Sequence, residues 1–136
     1  MANRITKSQV TQIMGGDAKL LVNEAERFGK ELAADRLSKS QIRSAFGTVR
    51  QIQGSWVKDP DPATAQKQLR QVLLLKPRLA YQAKRDEKVR PLAEVLTDAI
   101  DVVADGGTAV QQTERFGYFV DLFEAILAYH TAFGGK

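Results

Sequence analysis

Residues 116–133 read FGYFVDLFEAILAYHTAF, and the whole fold depends on the form this stretch takes. Apolar and polar residues do not alternate as they would along a half-buried strand. Apolar side chains instead recur every three or four positions, which is the period of a helix. On a helical wheel Phe116, Phe119, Phe123, Ile126, His130 and Phe133 make one stripe, and Tyr118, Leu122, Ala125 and Tyr129 make a second beside it. Only Asp121, Glu124, Ala128 and Thr131 are left as a narrow polar edge. A helix that is apolar most of the way round has to be covered by other helices. The expectation is a central C-terminal helix over about Gln112 to Phe133.

Upstream, glycine and proline divide the chain into the helices that would cover it. Asp17 is expected to cap a helix running to about Arg36, with Leu21, Ala25, Phe28 and Leu32 on its inner side. Ser38 followed by Gln41 is a capping box, opening a helix with Ile42, Phe46, Val49, Ile52 or Gln53, and Trp56 inside. Asp61 and Pro62 read as N-cap and first residue of a third helix reaching Leu73 to Leu75. Pro77 predicts a kink or break and biases Lys76 away from helical angles, with a short helix beyond it to about Arg85. Pro91 opens a segment with Leu92, Leu96, Ile100 and Val103 inside, closed by Gly106 and Gly107. Residues 1–16 read as a polar, flexible lead-in, with room for a short helix from Thr6 to Met14 stopped by Gly15 and Gly16. The fold class is all-α: a single-domain bundle of about five to six helices over residues 17–136.

Length and composition set the function classes. At 136 residues the chain suits one domain with a core, and its 43% hydrophobic and 26% charged residues match a soluble globular protein. No apolar run approaches the roughly 20 residues needed to span a bilayer, and no secretory signal opens the chain, so a cytoplasmic protein without a membrane partner is expected. The charge is unevenly placed. Residues 1–75 carry 12 cations against 7 anions, 76–90 carry 6 against 2, and 91–136 carry 2 against 7. A basic front and an acidic back suit a polyanion on one side, or a second copy of the chain.

Catalytic chemistry finds little to work with. There is no cysteine and a single histidine, His130, which falls on the buried stripe of the last helix and reads as a hydrogen-bonded core residue. Glu94, Asp98, Asp101 and Asp105 share a helix face. They read as a solvated surface, as a contact with the basic front of another copy, or as a cation site for a metal-dependent hydrolase. The glycine pairs lack the strand and lysine of a phosphate loop. No enzyme activity, cofactor or metal site is expected.

The cations offer more. In KPRLAYQAKR, residues 76–85, Arg78, Tyr81, Lys84 and Arg85, with Lys88 beyond, place charge around an aromatic ring on the side opposite Leu75, Leu79 and Ala83. Such a surface suits phosphates with a sugar or base against the ring. It equally suits a helix end that complements its own dipole. In the preceding helix Arg43 and Arg50 share a face with Gly47 and Gly54. Each interior glycine costs about 1 kcal/mol relative to alanine, so two on one face point to a phosphate chain or a partner helix approaching the backbone closely, or equally to packing within the bundle.

Three blocks, SKSQIRSAFGTVRQI, LLLKPRLAYQAKR and FVDLFEAILAYHTAFGGK, resemble the small subunit of type III-A CRISPR effector complexes. The similarity covers about residues 38–136. Its most specific parts are Leu75-Lys76-Pro77 with Leu79-Ala80-Tyr81, and Phe123-Glu124-Ala125 with Ala128-Tyr129-His130 and the closing Gly134-Gly135. The resemblance implies a non-catalytic helical bundle of antiviral defence, stacked in several copies along the backbone subunits. It would hold the guide RNA (crRNA) and its target RNA, beside the large subunit. It carries over Arg43 from the Ser-Gln-Ile-Arg block, and Lys76, Arg78 and Arg85 from the Leu-Lys-Pro block. With Lys39, Arg50, Tyr81 and Lys84 these make the expected RNA-binding set. One departure is Thr131, where the family often has a basic residue after the histidine, and a phosphate contact near the C-terminus is not expected. The competing expectation is a helical protein-interaction module that binds no nucleic acid.

Overall fold

A computed structural model describes residues 4–136. Five of its helices begin where side chains satisfy the free backbone donors of a first turn. The Ser38 hydroxyl accepts from the Gln41 amide while the Gln41 side chain returns to the Ser38 backbone, opening α3 at Lys39–Gly54. The same reciprocal box forms at Thr6 and Gln9, opening α1 at Lys7–Met14, and at Thr108 and Gln111, opening α7 at Ala109–Ala132. Asp17 caps α2, Ala18–Ala34, and Asp61 caps α4, Pro62–Leu73, with the proline in the first turn where its missing N–H costs nothing. α5 is Leu75–Arg85. A short 3-10 turn at Glu87–Val89 leads into α6, Arg90–Val103. Among the described residues every element is helical.

The C-terminal helix occupies the centre, as its two apolar stripes predict. α7 packs against α1, α2, α3 and α6, and it buries Phe116, Phe119, Val120, Leu122, Phe123, Ile126 and His130. Its main partner is α2. There Gly29 is the point of closest approach: a Cβ at this position would stand 2.8 Å from the Tyr129 Cβ and 2.9 Å from the His130 backbone nitrogen. On another side Trp56 stacks on Phe116, with centroids 4.2 Å apart, and its indole N–H donates to the Thr113 hydroxyl at 3.0 Å. Phe46 meets Phe123 edge-on at 5.0 Å. Buried Gln68 accepts from the Val57 N–H and donates to the Val57 carbonyl, which fastens the loop before α4 onto that helix.

Four sequence expectations need correction. Of the lead-in expected over residues 1–16, the described part, 4–16, is more than a polar segment, because Ile5, Val10, Ile13 and Met14 are buried in the core and α1 packs on α6, and residues 1–3 lie outside the described residues. The break expected at Pro77 falls at Leu74, between α4 and α5. Pro77 sits in the first turn of α5, where no intrahelical donor is lost, so Lys76 is helical after all. α7 starts three residues before Gln112, because Thr108 can cap it. Phe133 lies just past the end of α7 and is 43% exposed rather than in the core. It stacks against Tyr129, with the Lys30 ammonium over its other face.

Candidate nucleic-acid interface

α3 and α5 border a groove without packing closely on each other, since each rests on other helices of the bundle. The side of α3 facing the groove carries Ser40, Ser44, Thr48, Gln51 and Ser55, spaced by three or four residues so that they form one polar stripe. The facing side of α5 carries Arg78, Gln82 and Arg85 at the same kind of spacing, with Tyr81 beside them. Short hydroxyl side chains on one bank and long guanidinium side chains on the other leave the seam unsealed. At its middle a cleft of about 230 Å³ opens down to core side chains, among them Val49, Leu79, Leu96 and Phe123.

Few bonds cross this groove. Arg78 reaches the Thr48 hydroxyl at 3.5 Å, a long contact. At one end the Gln41 amide donates to the Asp86 carboxylate, which joins the start of α3 to the end of α5. That bond, followed by the Lys88 backbone N–H, holds the Asp86 carboxyl below its ordinary pKa.

The eight expected site residues do not form one patch. Arg78, Tyr81 and Arg85 come together on the α5 bank, where the Arg85 guanidinium lies 5.7 Å from the Tyr81 ring centre and the ring is 64% exposed. Lys39, Arg43 and Arg50 share the other flank of α3, the one next to α7, where Arg50 lies over Phe46 at 5.8 Å. Between the hydroxyl stripe of α3 and this flank runs a crest bearing Gly47 and Gly54, where a methyl group added to either glycine would meet nothing within 4 Å. Lys84 is exposed away from the core, outside the groove lining. Lys76 turns to the opposite flank and pairs with Asp101 of α6 at 2.6 Å. Among the described residues none of Lys39, Arg43, Arg50, Arg78, Lys84 and Arg85 makes an ion pair. Ser44, Thr48 and Gln82 are site residues that the sequence reading misses, although hydroxyl residues do recur at helical spacing from Ser40 to Ser55.

The other candidate chemistry is occupied internally. Arg4 pairs with Asp98 and, at 3.6 Å, with Glu94, so together with Lys76 it neutralises most of the α6 acidic face. Among the described residues no group of three or more side chains is arranged to hold a metal ion. His130 is fully buried and its Nε2 lies 2.7 Å from the Leu37 carbonyl oxygen. Among the described residues no helix is long and apolar enough to cross a membrane.

Comparison with known proteins returns no significant match among curated sequences or among solved structures. A protein-family model, Csm2 Type III-A, matches residues 15–136, nearly the whole chain and well beyond the three sequence blocks. With an all-helical bundle that agrees with this match, the chain belongs to the Csm2 type III-A family, the small subunits that assemble with other subunits into type III-A CRISPR effector complexes.

Proposed function

We propose that this subunit is a non-catalytic RNA clamp of antiviral defence, which holds the guide RNA and its bound target through phosphate contacts. The observation that carries the reading is the set of unpaired arginines at Arg43, Arg50, Arg78 and Arg85. The protein uses Arg4 and Lys76 on its own carboxylates and leaves these four in solvent. Unpaired guanidinium groups on the α5 bank of the groove and on the outer flank of α3 suit phosphates, which fix position and carry no base information. Sequence selection would then come from pairing with the guide. The burial of His130 and the neutralised α6 acids support a role without catalysis.

Binding by one copy should be weak and strongly salt-dependent, and neighbouring copies would add strength through effective concentration. On a single strand each neutralised phosphate contributes about 0.7 to the slope of log K against log salt. The Arg78→Ala, Arg85→Ala double variant should therefore lower that slope by roughly 1.4 without lowering the melting temperature. An unchanged slope in fluorescence anisotropy titrations, or a melting temperature that drops with it, would return these arginines to a structural role.

Stacking of copies has its own support. Because Glu94, Asp98 and Asp101 are paired internally, the unpaired acids of residues 91–136 are Asp105 and three on α7. There Glu114, Asp121 and Glu124 line one exposed edge with the small residues Gly117 and Ala128. This edge is opposite in charge to the Arg43, Gly47, Arg50, Gly54 face of α3. Light scattering across a salt series tests it: association should weaken as salt rises, and strengthening would contradict an ionic contact.

A further inference from the structure

We infer that the cleft between α3 and α5 accepts one unstacked nucleobase, a role that deepens the RNA-clamp reading and rests on it. Phosphate contacts alone would need only a flat basic surface, and this groove has more. Its middle opens into a hollow of about 230 Å³ floored by Val49, Leu79, Leu96 and Phe123, all buried core side chains. That volume lies below the range of about 300–1,000 Å³ usual for whole small-molecule ligands, which suits a flat heterocycle better than a dinucleotide. At the rim Ser44, Thr48 and Gln82 offer both donors and acceptors to a base edge.

The charges at the mouth fit a base that is still attached to its strand. Arg78 and Arg85 are seven residues apart on α5, about 10.5 Å along the axis. They flank the cleft so that each can take the phosphate on one side of the inserted nucleotide. Tyr81, exposed at the same mouth, offers a ring on which a neighbouring base can stack. Proteins that take single-stranded RNA commonly use this division of labour, with apolar surface for the splayed base and cations for the backbone. A protein partner's apolar side chain would also find the floor congenial, but it would leave two unpaired guanidinium groups at the rim without a use.

The test compares two chains of equal charge on the full-length protein: a ten-nucleotide single-stranded RNA and a ten-unit abasic ribose-phosphate chain. The RNA should bind at least about fivefold more tightly, the contribution of one stacked base. Ser44→Trp, which plugs the mouth from an exposed position, should reduce that difference to the share contributed by stacking on Tyr81, and an undiminished difference in this variant would place the base outside the cleft. A second measurement stands independently of the variant's folding: adenosine 5′-monophosphate, but not ribose 5-phosphate, should shift the methyl resonances of Val49, Leu79 and Leu96. Equal binding of the two chains in the wild type, with no such methyl shifts, overturns the inference while leaving the phosphate clamp intact. It would assign the cleft to a protein side chain. If neither chain binds, the clamp reading falls. Methyl shifts with the monophosphate would then keep the base in the cleft and change its source from a strand to a free nucleotide, whereas their absence would overturn both.

Discussion

Alanine at Gly29 and alanine at Gly47 are the same chemical change in the same kind of element, and the structure gives them opposite signs. Replacing a helix-interior glycine by alanine ordinarily stabilises by about 0.5–1 kcal/mol, because less backbone freedom is lost on folding. At Gly47 nothing lies within 4 Å of the added methyl group, so the full gain should appear. At Gly29 the methyl would stand 2.8 Å from the Tyr129 Cβ, 2.9 Å from the His130 nitrogen and 3.0 Å from the Ile126 carbonyl oxygen. Two of those three are backbone atoms of α7, which cannot rotate away, so α2 and α7 must separate along their main contact. Overpacking of this kind costs about 1–3 kcal/mol, leaving a net loss of roughly 1–2 kcal/mol after the helical gain. For a domain of this size 1 kcal/mol moves the melting temperature by roughly 3–5 °C. Gly47→Ala should thus melt a few degrees above the wild type and Gly29→Ala about 5 °C below it, read by circular dichroism at pH 7 with urea titration as a second measure. A Gly29→Ala protein as stable as the wild type would refute the close crossing. Gly47→Ala should also bind RNA or a second copy less well if either approaches the α3 crest, giving a more stable protein with a weaker contact.

Two further predictions concern single side chains. His130→Ala removes a buried ring and its hydrogen bond to the Leu37 carbonyl, for a cost of about 3 kcal/mol in urea titration; a loss under about 1 kcal/mol would mean that the ring is not needed to hold the α2–α3 connection. Burial, and then the neighbouring Glu124 carboxylate, raise the Asp121 pKa above its ordinary value. A carboxyl with a raised folded pKa contributes stability below the unfolded value of about 3.9 and loses it as pH climbs through the folded value. Asp121→Asn should therefore raise the melting temperature at pH 7 and give no such gain near pH 3.5; a gain equal at both pH values would show that charge is not the cause.

Local chemistry was legible in the sequence and the groove was not. Ser38, Asp17 and Asp61 announce helix starts because a cap is made by residues three apart, and the apolar wrap of residues 116–133 announces the centre of the bundle. Pro77 misleads because a proline signals an interruption without saying whether it precedes the first turn or sits inside it. Burial of Ile5 and Val10 depends on α6, some ninety residues away in sequence, and no short window contains that partner. The same holds for the cations. Lys76 and Arg78 are two residues apart, yet one meets Asp101 and the other lines the groove. Helical spacing separates their directions; only the placement of α6 and α3 around α5 decides which one is used up.

The crossing of α2 over α7 also bears on how the chain is made. Most of the inner face of Ala18–Ala34 has to wait for Ala109–Ala132 before it can be covered, and at 5–20 residues per second that delay is roughly 5–20 s. Until α7 leaves the ribosome, the face bearing Phe28 and Leu32 lacks its main native partner, with only α1 to meet. The nascent polypeptide exposes that face to chaperones for the interval, and faster reading of the codons between α2 and α7 is a route to better yield of folded subunit.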